Sequence, residues 1–203
     1  MGQLATLDAV TIDGYGTLLH LVDPLPKLRT LLPERPAEVI RAAFRAEAEF
    51  YVEHAVEARD EASLERLHSD CTEVFNRVAH SRLTTEEYIG TLEFELLPGV
   101  VEALASLRAR GLALAVVANW DFSLHAHVRG HGLDGWFDTI VTSAETGLRK
   151  PDPAPFRVAL ERLGVSPARA LHVGDDASDE EGAAAAGMHF APVPLATALG
   201  AWA

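Results

Sequence analysis

Residues 9 to 19 read AVTIDGYGTLL: an apolar run meets a single acid, Asp13, then breaks on Gly14 and Gly16 before Thr17. A second group of acids, Asp175, Asp176 and Asp179, follows the apolar run ALHV at residues 170 to 173. Between them, Asn119 and Asp121 follow LALAVVA, and Lys150 stands in GLRKPDP. A carboxylate can attack phosphorus or carbon as a nucleophile. A lysine beside it keeps it ionised and neutralises an anionic substrate. Further carboxylates nearby are the oxygen ligands a hard cation such as Mg²⁺ takes. Glycines after the nucleophile let backbone N–H groups approach a transferring group. The cation is informative too, because Lys27 and Lys150 are the only lysines in a chain that otherwise uses arginine.

Taken singly, each residue also has a structural explanation. Asp13 and Asp175 could cap a helix or a turn. Lys150 before a proline could be a surface lysine, and His172, inside an apolar run, reads as packed. Histidines such as His68, His125 and His131 lack metal-ligand spacing.

Three buried strands are predicted at 9–12, 112–118 and 170–174, with a weaker one at 139–143. Helical patterns at 100–111, 153–164 and 180–187 alternate with them, each closing on a glycine. Strands alternating with helices give an α/β fold, a Rossmann-like three-layer parallel sheet, whose ligands bind at the carboxyl ends of the strands. Residues 22 to 90 lack strand signals, and amphipathic helices are expected at 37–58, 63–80 and 84–95. The expected organisation is a core of residues 1–21 and 91–203 with a helical cap, 22–90, inserted after the first strand.

Length and composition bound the rest. A chain of 203 residues holds one large domain or one with an insertion. A net charge of −13 argues against nucleic acid and anionic membranes as partners, and leaves a small anionic substrate at a local positive site. One cysteine, Cys71, excludes an intrachain disulfide, and no apolar run spans a bilayer. The expected setting is cytoplasmic. A formal N-myristoylation pattern at residues 1 to 6 is set aside because the chain enters a strand almost at once. The sequence leaves the oligomeric state open.

The order of these stretches, IDGYGTLL at 12–19, AVVAN at 115–119, SAETGLRKPDPAPF at 143–156 and HVGDDASDEEGAAAAGM at 172–188, resembles the haloacid dehalogenase (HAD) superfamily. The resemblance covers residues 1 to 21 and about 93 to 195, with a helical cap between. It implies a hydrolase in which Asp13 is the nucleophile and forms an aspartyl intermediate. It further implies that Thr17 and Asn119 orient the transferring group and that Lys150 bridges it to Asp13. Mg²⁺ would be held by Asp13, Asp175 and the backbone carbonyl of Tyr15, with Asp179 supporting the site.

Two departures bear on the chemistry. The phosphatases of that superfamily carry a second aspartate where this chain has Tyr15, and Ser or Thr where it has Ala118. Tyrosine resembles the L-2-haloacid dehalogenase branch, in which halide leaves without a proton. By the same likeness Arg45 would bind halide, although an arginine on an amphipathic cap helix is the better explanation. The acids at 175, 176 and 179 point instead to a metal and to phosphoryl transfer. The reading is a Mg²⁺-dependent phosphatase of a small phosphorylated metabolite. The alternatives are a metal-independent 2-haloacid dehalogenase and a non-catalytic phospholigand binder.

Overall fold

The computed structural model describes residues 7 to 198, so the pattern at residues 1 to 6 lies outside the described residues. The chain begins with β1 (Ala9–Ile12) and β2 (Leu19–Leu21). Helices α1 (Leu25–Leu31), α2 (Ala37–His54), α3 (Glu61–Ala79) and α4 (Thr85–Ile89) come next, then β3 (Phe94–Leu96). The remainder alternates: α5 (Val100–Ala109), β4 (Ala113–Ala118), α6 (Leu124–Gly130), β5 (Thr139–Thr142), α7 (Ser143–Thr146), α8 (Ala154–Leu163), β6 (Ala170–Gly174), α9 (Ala177–Ala185) and β7 (His189–Pro192).

Five parallel strands form the sheet in the order β5-β4-β1-β6-β7. β1 lies at its centre with all four residues buried, which is why it reads as an unbroken apolar run. Alternation sends Val10 and Ile12 to one face, where Leu104 and Leu107 of α5 and Leu124 of α6 cover them. Ala9 faces the other way, onto Phe156 and Leu160 of α8 and Ala183 of α9. This is the α/β three-layer core expected. The chain leaves β1 for β4 on one side and returns to β6 on the other. The carboxyl end of β1, where Asp13 stands, is therefore the switch point at which such sheets bind ligands.

The inserted helices bury apolar surface of their own, with Leu28, Ile40, Phe75 and Tyr88 fully enclosed. α3 starts on an Asp60–Ser63 capping box and α4 on a Thr84–Glu87 one. Among the described residues no helix is long and apolar enough to cross a membrane.

Some expected elements differ. The helix expected over 84–95 stops at Ile89, before Gly90, and β3 pairs antiparallel with β2 as a short ribbon. The expected helix 37–58 ends at His54 and finishes in a single 3₁₀ turn, Ala55–Glu57. The edge strand β7 and helices α1 and α6 had not been expected.

Candidate active site

The ladder continues one residue beyond β1, where the Asp13 N–H donates to the Val173 carbonyl at 2.9 Å. This holds the Asp13 carboxylate at the sheet's carboxyl edge, only 5% exposed. Lys150, from the loop between α7 and α8, reaches it with Nζ 2.5 Å from Asp13 Oδ1. The same ammonium donates to Asp179 Oδ1 at 2.5 Å and to the Val117 carbonyl at 3.0 Å. All three of its protons thus have acceptors. Asn119 clasps the lysine's backbone: its Oδ1 accepts from Lys150 N at 2.7 Å, and its Nδ2 donates to Lys150 O at 3.1 Å. The amide of Asn119 is turned toward the Lys150 backbone.

Asp179 sits on the first turn of α9, brought there by Asp176, the helix's N-cap. Its Oδ1 also accepts from His172 Nε2 at 2.8 Å. Its Oδ2 accepts from the backbone N–H groups of Asp175 and Asp176 at 3.2 and 3.3 Å. Gly174 makes room, since a Cβ there would lie 2.3 Å from Asp179 Cγ. Gly16, at φ +83°, likewise brings backbone against Asp175, where a Cβ would fall 2.1 Å from Oδ2.

These contacts set the protonation energetics. Burial pushes the Asp13 carboxyl up to about 7, against the opposing pull of Lys150. Asp179 pays a burial penalty too, but the His172 hydrogen bond and the Lys150 charge hold it well below the usual carboxylate range. Burial works against the Lys150 ammonium, yet Asp13 and Asp179 raise it above the usual lysine range. Burial lowers His172 to about 4, so its ring is neutral. Asp175 is raised by burial and by its neighbours Asp179 and Asp176.

Asp13, Asp175 and Asp179 each offer a carboxylate oxygen, all within 4.8 Å of one another. An acidic cluster of this kind could hold a hard cation. Thr17 is buried, and its hydroxyl has no hydrogen-bond partner among the described residues. Tyr15 is 54% exposed, and its backbone pairs with Leu19. Ala118 is buried beside Gly14, where a Cβ would approach to 3.0 Å.

Three contacts bring the end of α2 and the turn after it onto this edge of the sheet. Tyr51 OH donates to Asp121 Oδ2 at 2.9 Å, Arg149 Nη1 to the Val52 carbonyl at 2.7 Å, and Phe122 N to the Ala58 carbonyl at 3.0 Å. Asp121 Oδ1 accepts from Ser123 N at 2.6 Å, so both oxygens of that buried acid are engaged. Arg45 is exposed on α2 and makes no hydrogen bond or ion pair among the described residues. Sequence reasoning missed Tyr51, whose position on an amphipathic helix looks like any packing position. It also read His172 as merely packed, when its two ring nitrogens are both bonded. The available signal was a histidine in an otherwise apolar strand three residues before Asp175.

Comparison with known proteins follows the same line. The model of the haloacid dehalogenase-like hydrolase family matches residues 7–187. The mouse haloacid dehalogenase-like hydrolase domain-containing protein 3 is 44% identical over 105 residues, 51% of this chain and 42% of that protein. A phosphoglycolate phosphatase of Thiobacillus denitrificans is 39% identical over 98 residues, 47% of this chain and 43% of that protein. The chain thus spans less than half the length of these curated relatives. The structure of an L-2-haloacid dehalogenase from Xanthobacter autotrophicus superposes with a TM-score of 0.66 at 22% identity, covering 93% of this chain and 78% of that one. At that identity the likeness concerns the fold. The family match runs through the sheet, its switch point and the Asp13–Lys150 pair, and the chain belongs to the haloacid dehalogenase-like hydrolases.

Proposed function

We propose that the chain is a Mg²⁺-dependent phosphatase of a small phosphorylated metabolite, with Asp13 as nucleophile. One observation carries this: the Asp13, Asp175 and Asp179 oxygens converge within 4.8 Å, and a single ammonium, Lys150, sits among them. Such an excess of negative charge, two of its acids buried, would repel an anionic substrate unless offset. The donor set, all oxygen, fits Mg²⁺, with Asp13, Asp175 and the Tyr15 carbonyl as holders. Asp179, whose oxygens already accept four hydrogen bonds, supports the site through Lys150. When bound, Mg²⁺ would neutralise this charge and polarise phosphoryl oxygens.

The residues of the chain do the rest. The ionised Asp13 carboxylate attacks phosphorus, the bond to the leaving oxygen breaks, and an aspartyl phosphate forms. Lys150 neutralises charge on the phosphoryl oxygens and favours the ionised form of Asp13 against the opposing effect of burial. Asn119 holds Lys150 at that post, and the unpartnered Thr17 hydroxyl orients the transferring group. Water then hydrolyses the acyl phosphate. Residues 22 to 90 serve as a cap that excludes bulk water, with its seam at Tyr51 and Asp121. The phosphatase named among the relatives supports this chemistry, and a charge of −13 with one cysteine suits a cytoplasmic enzyme.

A metal-independent 2-haloacid dehalogenase is the second reading. Tyr15 favours it, because no carboxylate stands two residues after Asp13 to protonate a leaving alkoxide. One paired assay separates the two. Phosphate release from an aryl phosphate should be abolished by EDTA and restored by Mg²⁺. Halide release from a 2-haloacid that ignores EDTA, with no phosphate release, would establish the second reading.

A further inference from the structure

Thr11 and His172 lie outside the reaction just described, yet they complete a buried polar row beneath it. Thr11 on β1 and His172 on β6 are register partners, and alternation puts Thr11 on the face that carries Asp13. Thr11 and His172 are both 0% exposed. Thr11 Oγ1 lies 2.8 Å from His172 Nδ1, and His172 Nε2 lies 2.8 Å from Asp179 Oδ1. The Phe156 ring meets the imidazole edge-on with centroids 4.8 Å apart, which fixes the ring plane.

We infer that His172, set by Thr11, is a positioning residue: by donating Nε2–H to Asp179 it fixes where Lys150 presents its ammonium to Asp13. The inference deepens the phosphatase reading and rests on it for its kinetic readout alone. A carboxylate only accepts, so the nitrogen facing Asp179 must carry the proton. The Thr11 hydroxyl then donates to Nδ1 and selects the Nε2–H tautomer. Lys150 is shared between two carboxylates at equal distances of 2.5 Å. With a second donor on Oδ1, Asp179 draws less on the ammonium and cannot swing after it. An apolar residue at position 172 would leave Asp179 with Lys150 as its only side-chain donor, and the balance would shift away from Asp13.

Two arms test this. Long-range ¹H–¹⁵N spectra of the ¹⁵N-labelled protein at neutral pH, without added metal, should show one histidine as the neutral Nε2–H tautomer. That signal should vanish in His172→Gln and lose its tautomer selection in Thr11→Val. An imidazolium or an Nδ1–H form for His172 would overturn the assignment. The kinetic arm uses the two amides that each copy one ring nitrogen. His172→Asn keeps the Thr11 end and loses the donor, and should lower kcat about 10- to 100-fold with KM for an aryl phosphate nearly unchanged. His172→Gln places an amide N–H where Nε2 was and should restore kcat to within about fivefold of wild type. Equal losses in both variants, or no loss in His172→Asn, would overturn the inference. A wild-type protein that releases no phosphate defeats the functional reading instead, and the spectra then decide this one.

Discussion

Glu47 and Asp179 are both acids sealed from water, 4% and 1% exposed, and their carboxyls are shifted in opposite directions. Glu47 lies on α2 among the inserted helices. The Cys71 thiol and the Tyr88 hydroxyl face it, the latter without a partner at normal hydrogen-bond geometry. Burial therefore dominates and raises its carboxyl above the usual range. Asp179 meets the same penalty with an ammonium, an imidazole N–H and two backbone N–H groups, and is held below that range. Among the inserted helices, burial without strong donors shifts the acid toward its neutral form. At the sheet's carboxyl edge, Asp179 is held in its charged form by the donors gathered around it. Burial alone does not mark a functional acid; its set of donors does.

The largest effect should come from Asp13. Asp13→Asn keeps shape and removes the nucleophile, and turnover should fall by on the order of 10⁴-fold or more with circular dichroism unchanged. Activity within tenfold of wild type would mean that Asp13 is only one more buried acid, like Glu47. Lys150→Ala should cost about 10²- to 10³-fold in kcat/KM for an aryl phosphate. Lys150→Arg should not recover it. Three acceptors converge on one nitrogen at 2.5, 2.5 and 3.0 Å, a geometry for a point charge that a planar fork does not reproduce.

Tyr15 sets a smaller effect and sharpens the contrast between an acid that is present and one that is missing. A phenol ionises far above neutral pH and is a weak catalyst of proton transfer there. A well-tuned general acid is worth about 10²- to 10⁴-fold. Turnover should thus fall steeply as the leaving group becomes more basic, with aryl and acyl phosphates far ahead of alkyl ones. Tyr15→Asp should flatten a plot of log kcat/KM against leaving-group basicity and raise alkyl phosphate hydrolysis about tenfold or more. A flat plot in the wild type would show that another group protonates the leaving oxygen. Asp121 is a poor candidate, since Tyr51 and Ser123 engage both of its oxygens.

What could be read in the sequence was whatever is written locally. β1 declared itself as an apolar run because both its faces are covered, and α8 through the proline before it and Gly164 after it. Asp13 could be named because it ends such a run, Lys150 because it is one of two lysines in an arginine-using chain, and Asp179 because it belongs to the acid cluster after β6. The β2–β3 ribbon could not, since two three-residue strands separated by residues 22 to 93 carry almost no periodic signal. The partners of the site residues were equally invisible. Asn119 on Lys150, Tyr51 on Asp121 and Thr11 on His172 are separated by 31, 70 and 161 positions. Only the folded register decides which of them meet. Hence candidate residues could be listed from the sequence, while their hydrogen-bond partners, such as the Lys150 backbone for Asn119 and His172 for Asp179, could not.

The smallest effect tests the opening contrast directly. Glu47 binds its proton more tightly folded than unfolded. As pH rises from the usual carboxylate range, the unfolded chain loses that proton first, and stability declines until the folded group ionises too. Glu47→Gln has no proton to lose. Its melting temperature should match wild type below the usual carboxylate range and exceed it above that range, by on the order of 2 to 4 °C. Asp179→Asn should behave with the opposite sign. A depressed carboxyl contributes stability above the usual range and loses it on acidification, so this variant should melt lower at pH 7 and approach wild type as the pH falls. Both curves come from calorimetric scans at matched ionic strength without added metal. If Glu47→Gln melts lower than wild type at pH 8, Glu47 is ionised and partnered after all, and the two buried acids are managed in the same way.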